Sequence, residues 1–273
     1  CGGEHDGEDP RPVTDPYWES GDQAEVEVHA TAIVDPGARL GDDVSVGPYS
    51  IIGPGVSVGT GTTIASHVLV ERDTTIGEQC QIAQGAVLGS DPQDLKYEGE
   101  ASHLYVGDRT VIREYATLNR GTRATRKTVV GSDCLIMAYA HVAHDCEIGS
   151  YVILSNSVNM AGHVVIEDWV IIGGLTAIHQ FVRIGAHSFC GGGSRIPQDI
   201  PPYLRVAGNP AKLYGLNSVG FERRGISEEV RQALKKTYRT LFQSKLNLSK
   251  ALEKAEEEVE QIPEVRHLLA FIR

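Results

Sequence analysis

The chain reads as a mainly β protein, a parallel β-helix of six-residue repeats followed by a small α-helical domain. Three observations predict this. An aliphatic residue returns every six positions from Val28 to Ile196. Glycine is high at 30 residues and aromatic residues are low at 6% of the chain, which suits tight turns and small interior side chains. Helical spacing is confined to the end of the sequence, beyond Gly225.

The first element is the acidic arm over 1–26. Residues 1–27 hold nine acids and one base, so this short segment carries most of the formal net charge of −11. Its composition predicts an unfolded arm, and no function is assigned to it. The opening Cys1-Gly2-Gly3 could begin a lipid-modified chain, but a shifted start is the preferred reading.

The second element is the repeat, expected over 27–200. The series runs Val28, Val34, Leu40, Val46, Ile52, Val58, Ile64, Val70, Ile76, Ile82, Leu88, and resumes in phase at Val106, Ile112 and Leu118. It continues from Val130 to Ile196, with Ala124 a weak match. The next residue is often Gly, as at Gly41, Gly47 and Gly53. Neither a helix nor a simple strand has this period. Three hexads close a triangular coil of eighteen residues, and coils stack at the inter-strand spacing of ~4.8 Å. Chains with this motif wind left-handed, against the usual crossover rule. The fifth position of each hexad also faces inward and is small: Val44, Val56, Thr62, Thr74, Cys80, Ala86, Cys134, Cys146 and Val152 through Val170. Three of the five cysteines fall there, so they read as core fillers and neither a disulfide framework nor a thiolate metal site is expected. Asp94 and Glu100 break the phase and mark a first excursion over 90–105, which replaces one coil in length. A second spans 123–128. Between His103 and Val130, Arg109, Arg113, Arg120, Arg123, Arg126 and Lys127 make a local basic surface.

The third element is the cap and helical domain, expected over 201–273. Prolines at 197, 201 and 202 end the repeat. Ser227 with Glu228 and Glu229 reads as a helix start, Ser249 as the cap of a second helix and Pro263 as the first residue of a third. The flat faces of a β-helix favour side association into a closed ring, and a homotrimer is the expected assembly. An acidic chain without a basic tract is a poor nucleic-acid binder. No apolar run is long enough for a membrane span, and a cytoplasmic location is expected.

Coil arithmetic also predicts a site. His144 occupies the third position of its hexad; one coil on is Gly162, beside His163, and two coils on is Gln180, beside His179. His141 precedes the same corner and Asp145 adjoins His144. A histidine with a carboxylate to orient it can act as a general base. Three stacked histidines could also hold zinc, as in the carbonic anhydrases of the β-helix class. A non-catalytic structural homologue is a further alternative.

The segments Met137–Cys146, Met160–His163 and Ile172–Phe181 resemble the UDP-N-acetylglucosamine O-acyltransferase family, hexapeptide-repeat transferases that open lipid A biosynthesis. So do Gln93-Asp94-Leu95-Lys96-Tyr97, Asn119-Arg120-Gly121-Thr122, Gln198–Tyr203 and Arg223-Arg224-Gly225. The resemblance covers all but the arm. It implies transfer of a 3-hydroxyacyl chain from acyl carrier protein to the 3-hydroxyl of UDP-N-acetylglucosamine, with no cofactor and no metal. It further implies His144 as general base, Asp145 as its orienting carboxylate and the Gly162 N–H as oxyanion donor. Gln93, Asp94, Lys96, His141, His163, His179 and Gln180 would bind the sugar nucleotide, with Asn217 and Arg223 at its diphosphate. Gly192 would set the depth of the acyl groove. Val219 stands where some members carry an acid, which leaves any contact there open. Transfer to the 3-amino analogue of the sugar is the alternative reaction.

Overall fold

The structure, a computed structural model, describes residues 25–273. The arm expected over 1–26, apart from its last two residues, lies outside them. From Glu27 the aliphatic position of each hexad closes a short strand, and these strands build three sheets of eleven, nine and eight members, parallel throughout except for the last strand of the eleven-stranded sheet. Each strand pairs with the strand one coil later, as Val46 with Ile64 and Ile52 with Val70. The result is the expected left-handed β-helix. Its core is a single column of aliphatic first positions and small fifth positions, and Val44, Val56, Cys80, Ala86, Cys134, Cys146 and Val152 are all buried.

Two features of the hexad separate in space. The glycine after the aliphatic residue is set by coil stacking: a Cβ on Gly53 would lie 1.6 Å from the Glu71 carbonyl oxygen. The left-handed corner falls two residues later and is occupied mostly by residues other than glycine, among them Asp145 (φ 59°), His163 (φ 60°) and Phe181 (φ 67°).

The excursions correct the expected lengths. Ile76 pairs with Val106, 30 residues on, where an ordinary coil advances 18. The first excursion therefore lengthens a coil by twelve residues and does not replace one. The second lengthens the next by six, since Thr117 pairs with His141. Ala124 is no hexad position; it is exposed on this excursion. Both leave the same corner, after Leu88 and Leu118, which pair with each other.

The stretch after Ile200 is more ordered than expected. Strand Leu204–Ala207 continues the stack by pairing with Phe189–Cys190 and folds back in an antiparallel hairpin with Lys212–Leu216. Four helices follow: α1 (Ser218–Arg223), α2 (Glu228–Tyr238), α3 (Leu248–Glu258) and α4 (Pro263–Ile272). A π-helical turn, Arg239–Gln243, extends α2. Ser227 caps α2 and Pro263 opens α4 as expected, but α3 is capped by Asn247, whose side chain accepts from the Lys250 N–H, and not by Ser249. The helices bury Leu234, Ala251, Ala255, Val265 and Leu268 in their own small core, with Tyr203 and Phe221.

Candidate active site

The corner that carries both excursions also carries the histidines. Val142 ends a strand of the nine-stranded sheet, paired with Leu118 below and Met160 above. His144 and Asp145 make the turn that follows. The His163 N–H donates to the His144 carbonyl at 3.1 Å, so successive corners stack.

His144 is buried, and its Nδ1 lies 2.8 Å from Asp145 Oδ2. Its imidazole lies against Gly162: a Cβ at that position would fall 2.5 Å from Cε1 and 2.8 Å from Nε2. Glycine is required here by the ring beside it. The Gly162 N–H has no hydrogen-bond partner among the described residues. His163 meets His144 edge to face, with centroids 5.2 Å apart, and its Nε2 is 3.6 Å from Asp145 Oδ2.

Burial by itself would raise the Asp145 carboxyl, but hydrogen bonds from His144, Thr125 and Thr122 outweigh it and hold the group well below the usual carboxylate range. His141 is half-buried, with Nδ1 2.7 Å from the Thr117 hydroxyl. Burial, and then the charge of His144, lower its pKa.

His144, Asp145 and His163 bring one ligand atom each within 4.8 Å of one another. Both Asp145 oxygens are already engaged by protein donors, however, and His144 Nδ1 is turned to the carboxylate. A zinc site of the three-histidine kind needs three free imidazole nitrogens converging on one point, and these donors do not converge so.

The other expected residues divide. Gln93 and Lys96 are exposed and Asp94 half-exposed on the first excursion, where Asp94 Oδ1 accepts from the Lys96 N–H. Arg120, fully buried, fastens this excursion through the Gly89 carbonyl, Asp91 and the Tyr97 hydroxyl at 3.1 Å. His179 does not join the cluster. It is exposed and its Nδ1 contacts the Gln180 carbonyl at 3.0 Å. The column passes instead to Phe181, stacked on His163 at 4.7 Å. The reason is phase, because His144, His163 and His179 occupy the third, fourth and second positions of their hexads. Gln180 is exposed.

Asn217 is buried, and its amide is spent on structure. Nδ2 donates to the His187 carbonyl at 2.9 Å and Oδ1 accepts from Gly220, capping α1. Arg223 is exposed at the end of α1. Its neighbour Arg224 donates to the Trp169 carbonyl at 2.7 Å and lies over the Trp169 ring. Gly192 is exposed with an ordinary φ, and the left-handed corner beside it falls to Gly193. The atoms nearest to a Cβ on Gly192 would be backbone: the Gly174 oxygen at 3.1 Å, the Gly174 nitrogen at 3.6 Å and the Gly173 carbonyl carbon at 3.9 Å.

The basic surface is smaller than the sequence suggests. Arg109 pairs with Asp133 at 2.7 Å, Arg113 with Glu114 at 3.0 Å and the buried Arg120 with Asp91. Arg123, Arg126 and Lys127 are exposed and form no ion pair among the described residues. Sequence reasoning assigned no role to Thr122, although it lies in a segment that carries the resemblance, and did not single out Thr125 or Thr128; all three surround Asp145, and the signal available was that both excursions break the hexad at the same corner as His144.

Stacked hexapeptide coils with a carboxylate-held histidine at one corner define a hexapeptide-repeat transferase, and the adjacent Cys146 offers no thiolate, since burial pushes its thiol up to about 12. The bacterial transferase hexapeptide family matches residues 37–72 and 127–162, and the second domain of UDP-N-acetylglucosamine O-acyltransferase matches 199–273. The acyl-[acyl-carrier-protein]–UDP-N-acetylglucosamine O-acyltransferase of Chlorobaculum parvum is 60% identical over 89% of this chain and 93% of its own length. That of Syntrophobacter fumaroxidans is 48% identical over 90% and 96%. The solved UDP-N-acetylglucosamine acyltransferase of Bacteroides fragilis superposes with a TM-score of 0.88 at 40% identity, covering 90% of this chain and 96% of its own. The chain belongs to the UDP-N-acetylglucosamine O-acyltransferase family.

Proposed function

We propose that the protein transfers a 3-hydroxyacyl chain from acyl carrier protein to the 3-hydroxyl of UDP-N-acetylglucosamine, opening lipid A biosynthesis, by direct attack with His144 as general base. The observation that carries the mechanism is His144 itself. Its Nδ1 is held 2.8 Å from a buried carboxylate while Nε2 is left for substrate beside Gly162. In the proposed step Nε2 takes the proton of the sugar hydroxyl as its oxygen attacks the thioester carbonyl. The oxyanion of the tetrahedral intermediate meets the Gly162 N–H, where a preorganised donor is worth most. Collapse expels the thiolate, which recovers the proton from His144. The names of the relatives support the two substrates.

Gln93, Asp94 and Lys96 on the first excursion, with His141, His163, His179 and Gln180, would position the sugar nucleotide, and Arg223 its diphosphate. Asn217 would act there only through its backbone or by holding α1, since its amide is occupied. Gly192 would leave room for the acyl tail. Arg123, Arg126 and Lys127 would receive the acidic carrier protein. The protein would work in the cytoplasm as a homotrimer; no helix among the described residues is long and apolar enough to cross a membrane.

The test is mass spectrometry of the product formed from 3-hydroxyacyl carrier proteins with UDP-N-acetylglucosamine and, separately, with its 3-amino analogue. An ester on the ordinary sugar is expected. An amide on the analogue, with no ester on the ordinary sugar, would overturn the choice of acceptor.

A further inference from the structure

The second excursion delivers hydroxyls and peptide N–H groups to the site rather than charge. Asp145 Oδ1 accepts the N–H of Thr122 at 3.0 Å, the N–H of Thr125 at 3.2 Å and the Thr125 hydroxyl. Oδ2 accepts the Thr122 hydroxyl at 2.7 Å and lies 2.8 Å from His144 Nδ1. A third hydroxyl, that of Thr128, accepts the Asp145 N–H at 2.9 Å and fixes the backbone beneath. The carboxylate side chain is wholly buried. A carboxylate offers about four lone-pair directions, so this one is saturated and has no freedom to turn. The excursion closes on it from 20 and 23 residues away.

Resting on the reading of His144 as general base, we propose that Thr122 and Thr125 are positioning residues for that base. They fix the rotation of the Asp145 carboxylate, so that Oδ2 aims His144, and they disperse its charge, so that it does not hold the proton on His144 too firmly. A carboxylate stripped of competing donors attracts the imidazole proton more strongly, because hydrogen bonds that stabilise the anion share its charge. The titratable groups facing this carboxylate are His144 and His163 from the coil corners and, farther off, His141 on the preceding strand. Arg123, Arg126 and Lys127 on the excursion are exposed.

The experiment compares Thr122→Val, Thr125→Val, the two Ala variants and the two Ser variants in the full chain. It measures kcat against pH, KM for both substrates, and the thermal midpoint. The Val and Ala variants should lose about 10- to 100-fold in kcat, as expected for a misaimed group. The acid limb of their kcat profile should move to higher pH by roughly half a unit to one unit, with KM changed less than about twofold. The Ser variants, which keep the hydroxyl, should stay close to wild type. An unmoved acid limb with kcat within about threefold in both Val variants would overturn the proposal. So would Ser variants as impaired as Val, since packing of the methyl would then be what matters. Failure of every Val and Ala variant to fold would assign the threonines to structure and equally overturn it. His144→Ala separates the two readings: if His144 is indispensable while the threonine variants behave as wild type, only the positioning role fails.

Discussion

Gly162→Ala perturbs the site by a single methyl group. The added carbon would sit 2.5 Å from His144 Cε1, 2.8 Å from Nε2 and 3.0 Å from Nδ1. Carbon atoms rest at about 3.5–4.0 Å, so the ring or the corner must retreat by about 1 Å. The ring has little room to comply, because Nδ1 is tied to Asp145 and the carboxylate is itself held by two threonines. A misplacement of ~1 Å costs on the order of 10²-fold in rate. Gly162 has an ordinary φ, so the alanine brings no left-handed strain of its own. The assay is release of carrier-protein thiol at saturating UDP-N-acetylglucosamine, with thermal unfolding as the control for structure. A kcat about 10²-fold lower, with KM for the sugar nucleotide changed less than threefold, is expected. A kcat within about threefold of wild type would show that the His144 ring position does not govern the reaction.

Gly192→Met should move the preferred acyl chain several carbons shorter. Each buried CH₂ contributes ~0.8 kcal/mol, so four amount to ~3 kcal/mol, or about two orders of magnitude in kcat/KM; an unchanged optimum across donors of about ten to sixteen carbons would place the ruler elsewhere. Arg123→Glu should raise the KM for acyl carrier protein, and rising ionic strength should do the same to the wild type, whereas no response to either removes the basic patch from docking. His267, on α4, lies 2.9 Å from Glu167 on the β-helix, and that hydrogen bond raises its pKa above the ordinary value. Its contribution to stability is complete below the unfolded-state value of about 6.5 and fades as pH rises through the raised one. Glu167→Gln should therefore lower the thermal midpoint more at pH 6 than at pH 8.5, and an equal loss at both would mean that the pair is not charged.

The β-helix was legible because its core geometry repeats in the sequence: each hexad puts an aliphatic and a small residue at fixed offsets, as Cys134 with Ile136 or Cys146 with Ile148. Coil arithmetic likewise brought Gly162 over His144. What lacks the period was not legible. The hairpin of 204–216 pairs antiparallel within the cap, and its outer strand is half exposed with no repeat to announce it. The choice between Asn247 and Ser249 as helix cap turns on one backbone conformation. Counting charges could not reveal that Arg120 is buried, and histidine spacing overstated His179 because a shift of one position within a hexad takes a residue out of the corner stack, to the exposed position just after strand Ala177–Ile178. The threonines around Asp145 reach it across a loop, where contact depends on loop conformation rather than on register.

The proposed reaction depends most directly on His144. The decisive measurement is single-turnover acyl transfer by His144→Ala, with the mass of the assembly and UDP-N-acetylglucosamine affinity determined on the same preparation and product identified by mass spectrometry. Loss of a general base costs about 10²–10⁴-fold, so ester formation should fall by that factor while assembly and sugar-nucleotide affinity persist. A variant that still forms the ester at more than about a tenth of the wild-type rate would contradict the assignment.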